Sequence, residues 1–323
     1  MKILITGITG FVGSHLADYI LEHHPDTKVI GMARWRSQKE NIQHIRDKIT
    51  LECGDLTDTN SLRHILSEHK PDVIFHLAAQ SYVPFSFKVP IATLETNIIG
   101  TANLLEEIKY LKFSSDYDPI VHICSSSEVY GQVKEDEVPI NESNQFRPAS
   151  PYAVSKVCED MLALQYWLSW KIKTIRTRLF THTGPRRGSV FATSTFAKQI
   201  ALIEAGKQQP VIEVGNLDSV RTFMDVGDAV RAYWILVHQC RPGEVYNIGG
   251  NETMTIGEML NKLLNLSTRK DIIIKVDPVR LRPSDVTLQI PDTSKFRNET
   301  GWKPEVSFDK TLENLLNYWR AKV

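Results

Sequence analysis

The chain has 323 residues, 42% of them hydrophobic and 24% charged, with 38 Lys+Arg against 38 Asp+Glu and a formal net charge of zero. That composition excludes a disordered or fibrous chain, and balanced charge argues against the basic face that a nucleic-acid partner requires. No stretch approaches the roughly 20 apolar residues of a membrane helix, and the opening MKILITGITG turns to glycine and threonine before an apolar signal region forms.

Lys2–Thr6 reads as a strand, followed by a glycine turn and an amphipathic helix from about Phe11 to His23. Lys28–Ala33 is a second strand, Ile49–Glu52 a short third, and Asn60–Glu68 a helix. Asp72–Ala78 is apolar on both faces, as the strands of a covered parallel sheet are. Pro90–Glu107 reads as one long helix, Pro119–Ser125 as another buried strand, and a helix opens at Pro151. Ile172–Leu179 is a further strand. Strands alternating with helices predict βαβ units and a parallel sheet covered on both faces. The second half is less regular: Thr183–Ser189 and Val214–Ser219 are turn-rich, and a strand near Glu244–Ile248 precedes a helix over Ile256–Leu266. About two domains are expected from the length. The smaller, mixed lobe should pack at the carboxyl edge of the sheet.

Gly7, Thr9, Gly10, Phe11, Val12 and Gly13 form a G-x-x-G-x-x-G turn between the first strand and the first helix. Glycine allows the tight turn and lets backbone amides approach a pyrophosphate at a helix N-terminus. After the second strand an acidic residue would accept from a ribose 2′-OH and indicate NAD. Here the chain has Arg34, Arg36 and Ser37 instead. Two guanidiniums and a hydroxyl suit a 2′-phosphate, so the expected cofactor is NADP. Asp55-Leu56, after the third strand, is expected beside the adenine, with a plain turn as the alternative.

Ser150 is a natural N-cap and Pro151 a natural first helical residue, which places Tyr152 and Lys156 one turn apart on one helix face. An ammonium beside a phenol favours the phenolate, making Tyr152 an acid or base for neutral pH. The buried strand Pro119–Ser125 runs into Ser126-Ser127-Glu128, and ligands of open parallel sheets bind beyond strand carboxyl ends. Ser126 and Glu128 are therefore expected to share a crevice with Tyr152, while Ser125 and Ser127 fit turn chemistry. Cys53, Cys124, Cys158 and Cys240 are far apart and read as free thiols of a reducing, cytoplasmic compartment, with no metal site.

The opening ITGITGFVGSHL, Asp55-Leu56, His76-Leu77-Ala78-Ala79, the strand-end serines, Tyr152-x-x-x-Lys156 and Tyr246-Asn247-Ile248-Gly249-Gly250 together resemble an extended short-chain dehydrogenase/reductase over essentially the whole chain. The resemblance implies a Rossmann-type doubly wound α/β fold with a smaller mixed C-terminal substrate lobe. It implies an NADP-binding domain at 1–178, to which the chain returns around 220–247, and a nucleotide-sugar lobe at 179–323. It also implies a homodimer or homotetramer and contributions of Leu77, Ala78 and Ala79 to the cofactor site.

Within that family the chain resembles the GDP-mannose 4,6-dehydratases through Arg34–Ser37, Ala79–Phe87 and Gly184–Gly188. It resembles their partner GDP-4-keto-6-deoxy-mannose reductases through Phe196–Ile200, Val214–Leu217 and Leu281–Ser284. Ser126-Ser127-Glu128 is similar to the dehydratases' Thr-Ser-Glu, and Glu128 falls on their C5 base. Thr181 replaces the asparagine of their Phe-Asn-His. By resemblance Arg221 and Arg282, with Arg187 as a further choice, face the diphosphate. Asp285 faces a ribose, and Ser81, Ser86, Ser126 and Thr181 the rest of a GDP-linked sugar. The expected activity is dehydration of GDP-mannose. The alternatives are NADPH-dependent reduction of the 4-keto-6-deoxy sugar and a non-catalytic NADP-binding protein.

Overall fold

The computed structural model describes residues 1–281, 284 and 286–323. Its strands are β1 (Lys2–Thr6), β2 (Lys28–Ala33), β3 (Thr50–Cys53), β4 (Val73–His76), β5 (Ile120–Cys124), β6 (Lys173–Leu179), β7 (His182–Thr183), β8 (Val211–Val214), β9 (Val220–Asp225), β10 (Val245–Ile248), β11 (Glu252–Thr255), β12 (Ile273–Val276) and β13 (Leu288–Gln289). The helices are α1 (Phe11–His23), α2 (Thr59–His69), α3 (Val83–Lys88), α4 (Pro90–Leu94), α5 (Gly100–Ser115), α6 (Pro151–Trp170), α7 (Ala192–Glu204), α8 (Val226–Gln239), α9 (Ile256–Leu266), α10 (Ser294–Thr300) and α11 (Phe308–Arg320).

Seven strands form one sheet in the order β10-β6-β5-β4-β1-β2-β3, every pairing parallel. The strand order reverses between β1 and β4, so the crevice beyond their carboxyl ends is the expected ligand position of a doubly wound fold. Successive side chains point to opposite faces. Ile3 and Ile5 therefore join the core under α1 and α8, with Leu16, Ile20, Tyr233 and Leu236. Leu4 turns to the other face and packs with Leu62, Leu104, Ile108 and Tyr166. This is the doubly wound arrangement that the alternating strands and helices predict.

The rest of the chain builds a mixed sheet around β9, with β7 and β13 parallel to it and β11 antiparallel, plus a two-stranded β8–β12 pair. A third core joins Phe196, Ile200, Ile212, Phe223, Met259, Leu263, Phe308 and Leu312. Helices α3, α7, α8, α10 and α11 add to those that the sequence pattern predicts. The predicted third strand is displaced by one residue, to Thr50–Cys53. The predicted long helix from Pro90 is broken: α4 gives way to a π-helical turn at Glu95–Ile99 before α5 starts at Gly100. A π turn rotates the register and re-aims a side chain, here Asn97.

Candidate active site

The glycine turn is closed by the end of β4. Gly7 has φ 73°, and a Cβ there would lie 2.9 Å from both N and Cα of Ala78, so only glycine fits. Thr6 Oγ1 accepts from the amides of Leu77 and Ala78, both at 3.1 Å, and contacts His76 Nδ1 at 3.0 Å. Gly10 precedes α1 and no side chain caps that helix. Its first-turn amides, around Phe11, Val12 and Gly13, are thus open to a ligand, and the turn fits a dinucleotide pyrophosphate. Thr9 O accepts from Asn41 Nδ2 at 3.1 Å.

Arg34 and Arg36 are exposed just past β2, Arg36 lying over the Trp35 ring, and Ser37 N donates to Arg34 O at 2.9 Å. Asp55 has a local duty: Oδ1 accepts from Thr57 N at 3.0 Å and Thr57 Oγ1 at 2.9 Å. Leu56 is buried in the core between α2 and α5. Ala79 is half-buried beyond β4.

Beyond β5, Ser126 caps a 3₁₀ turn over Ser127–Val129, its Oγ accepting from Glu128 N at 3.2 Å. Ser150 caps α6 by accepting from Ala153 N at 3.0 Å, which fixes the entry of Tyr152. The Tyr152 hydroxyl hydrogen-bonds Ser126, which brings these two side chains together, and Glu128 adjoins them through its backbone N–H. Lys156 Nζ donates to Cys124 O at 2.9 Å and to Glu159 Oε2 at 2.9 Å, and lies 5.9 Å from the Tyr152 ring centroid. Burial pushes the Tyr152 phenol up, Lys156 and the Ser126 hydrogen bond pull it down, and burial wins. This corrects the expectation of a lowered pKa: the lysine acts in the predicted sense, but withdrawing the phenol from water outweighs it.

Arg187 is half-buried, its guanidinium 3.9 Å from the Phe191 ring centroid and 5.1 Å from that of Phe11. Burial lowers its pKa to about 10 against the opposing pull of Tyr152, which puts Arg187 on the Tyr152 side of the crevice. His182 stacks on Phe11 and is held neutral, at about 3, by burial and by Arg187. Thr181 is half-buried, its carbonyl taking Met224 N at 3.0 Å, and Ser81 is exposed. Ser86 is fully buried and donates to Val83 O at 2.7 Å, closing a helical turn. Arg221 is buried and donates to Val220 O at 2.9 Å and to Val286 O, fastening β9 to the segment before β13. Arg282 and Asp285 lie outside the described residues.

Asn97 and Gln289, which brace the segments around the site, carry no sequence signal. Asn97, aimed by the π turn, donates to Ser155 Oγ at 2.9 Å and Gln80 O at 3.0 Å, and accepts from Gln80 N at 2.8 Å. Gln289 accepts from Ser127 Oγ at 3.0 Å across the crevice. Arg186, with φ 66°, donates to Asp18 at 2.6 Å and bonds His15 Nδ1 at 2.8 Å, tying the loop before α7 to α1. Among the described residues no cluster of three or more His, Cys, Asp or Glu could hold a metal ion, and no helix is long and apolar enough to cross a membrane.

A family model described as GDP-mannose 4,6 dehydratase matches residues 4–315. The GDP-6-deoxy-D-mannose reductase of Pseudomonas aeruginosa is 33% identical over 322 residues, covering 100% of this chain and 98% of the relative. The GDP-mannose 4,6-dehydratase of Yersinia enterocolitica is 33% identical over 352 residues, covering 98% and 92%. Among solved structures, RMD from Pseudomonas aeruginosa complexed with NADPH superposes with a TM-score of 0.85 at 31% identity, covering 100% and 99%. UDP-glucose 4-epimerase from Thermus thermophilus in complex with NAD gives 0.87 at 25% identity, covering all of both chains.

Proposed function

The chain belongs to the GDP-mannose 4,6 dehydratase family of nucleotide-sugar enzymes, and on that premise we propose that it converts GDP-mannose to GDP-4-keto-6-deoxy-mannose with NADP held in the glycine crevice. When bound, NADP supplies the acceptor for a hydride from C4 and its donor to C6. Lys156 favours removal of the C4 hydroxyl proton by Tyr152, and Ser126 orients the same oxygen. The 4-keto group acidifies C5. Glu128 takes the C5 proton and passes it to the C6 hydroxyl, which leaves as water, and the proton held by Tyr152, exchangeable with solvent, goes back to C5. Net redox is zero, so no reductant is consumed.

The observation that carries this reading is Glu128. It stands two residues past the serine that caps its turn and bonds Tyr152. A carboxylate in that position has a proton to move in an elimination and none in a simple carbonyl reduction. Replacing Glu128 with Gln is expected to abolish water loss while leaving NADP bound. Elimination at the normal rate by E128Q would overturn the assignment.

A second reading is favoured by Tyr152 itself. A phenol held above its ordinary range begins protonated and suits delivery of a proton to O4 in an NADPH-dependent reductase. The relative that is 33% identical over 100% of the chain carries that name.

We read residues 1–178 as the NADP-binding domain and 179–323 as the nucleotide-sugar lobe, with Arg34, Arg36 and Ser37 taking the 2′-phosphate and Arg187 the substrate diphosphate. A homodimer is supported by the outer face of α5 and α6. Val154, Met161 and Leu168 are exposed at seven-residue spacing beside exposed Ile99 and Phe113, the pattern of a helix-pair seam.

A further inference from the structure

Tyr152, Lys156 and Glu159 stand at i, i+4 and i+7 of α6, so all three share one face of the helix. Glu159 is 1% exposed, its Oε2 lies 2.9 Å from Lys156 Nζ, and its Oε1 has no partner among the described residues. An ammonium has three donors. Cys124 O and Glu159 occupy two of them, leaving one. A buried carboxylate is costly, and swapping such a pair for apolar side chains is often neutral or stabilising, so the acid is not explained by stability. Nor do the neighbouring arginines require it, because Asp160 already serves Arg176 and Arg178. Two adjacent acids on α6 therefore have separate partners, and one faces the reacting pair.

We infer that Glu159 is a positioning residue: it pins the Lys156 ammonium against Cys124 O, and its negative charge limits how strongly that lysine favours the Tyr152 phenolate. The inference rests on the reading of Tyr152 and Lys156 as the proton-transfer pair.

Several other groups face the pair. His76 from β4 and His122 from β5 are held near 3, chiefly by burial. The Cys124 thiol and the Tyr233 hydroxyl, 3.0 Å apart, are both pushed up by burial. Asp160 is engaged by its two arginines. Arg187 from the loop before α7 adds a cation that interacts with Tyr152, and Glu128 adjoins through Ser126. Lys156 pulls the Tyr152 phenol down and Glu159 opposes it. Burial pushes the Glu159 carboxyl up to about 7 against the pull of Lys156, so its charge varies within the working range.

The test is the ionisation of Tyr152 followed by tyrosinate absorbance, isolated as the difference between each protein and its Y152F counterpart. It is paired with the pH profile of kcat/KM on GDP-mannose. Removing a nearby negative charge in E159Q is expected to move the Tyr152 ionisation to lower pH by about 1–2 units, and the alkaline-favoured limb of the rate profile with it. E159M removes the same charge with an apolar side chain of similar length and should shift in the same direction. It stands in if E159Q does not fold. E159D keeps the charge and should stay within a few tenths of a unit of the parent. Coincident titrations for the parent and both charge-removing variants would overturn the inference. Undiminished turnover by Y152F would overturn the catalytic reading instead, and the absorbance titration would still report on Glu159.

Discussion

The Arg178 guanidinium meets the Asp160 carboxylate side-on, Nε to Oδ2 at 2.8 Å and Nη2 to Oδ1 at 3.3 Å, with both side chains buried. Arg176 shares the same carboxylate, Nη1 to Oδ1 at 2.9 Å. From this pair the bracing runs to the active-site turn. Arg178 donates to Tyr130 OH at 2.9 Å, and Tyr130 OH donates to Asn247 Oδ1 at 2.7 Å. Tyr130 directly follows the 3₁₀ turn that carries Glu128.

Asp160→Asn therefore leaves two buried guanidiniums facing a neutral amide. Breaking a buried pair by removing one partner's charge costs about 3–5 kcal/mol. Urea unfolding is expected to show a loss of that order. A loss below about 1 kcal/mol, the range of a surface ion pair, would contradict the account.

Arg34 and Arg36 predict cofactor choice. The double variant R34A/R36A is expected to bind NADP at least about 10-fold more weakly, since a charge-assisted contact contributes about 1.5–3 kcal/mol. NAD, which lacks the 2′-phosphate, should bind as before. Fluorescence titration with both nucleotides checks this, and an equal loss for the two would remove these arginines from the 2′-phosphate site.

Acid should destabilise the fold through its buried histidines. Burial depresses His76, His122 and His182 to about 3 in the folded chain, against an unfolded value of about 6.5. The unfolded chain then binds more protons, so stability is complete above about pH 6.5 and falls as pH drops toward 3. At pH 5 each histidine contributes a loss of about 2 kcal/mol. His122→Gln removes one such group, so its unfolding free energy should change less between pH 7 and pH 5, by about that amount. Parallel pH curves for the two proteins would contradict this.

Most of the cofactor half was legible in the sequence because its signals are local. A glycine turn after an apolar strand, arginines at the end of β2 and Tyr152 one turn from Lys156 each declare themselves within a few residues. What the sequence hid depends on tertiary placement. The π turn that aims Asn97 sits in an ordinary helical pattern. Glu159 looks like any helix-surface acid until the packing of α6 buries it. Ser86 and Leu56 carry the right residue type in the right motif, yet one hydroxyl closes a local turn and the other side chain fills the core. The direction of the Tyr152 shift is hidden for the same reason: spacing reveals the lysine, and only burial reveals the opposing desolvation.

The central claim is elimination driven by Glu128 with retained NADP. The most direct measurement is mass spectrometry of GDP-mannose incubated in D2O with the purified protein and no added cofactor. The predicted product has lost one water, about 18 mass units, and carries one solvent deuterium from reprotonation at C5. Unchanged GDP-mannose, together with NADPH oxidation when the 4-keto-6-deoxy sugar is supplied, would contradict the claim and make the chain the reductase.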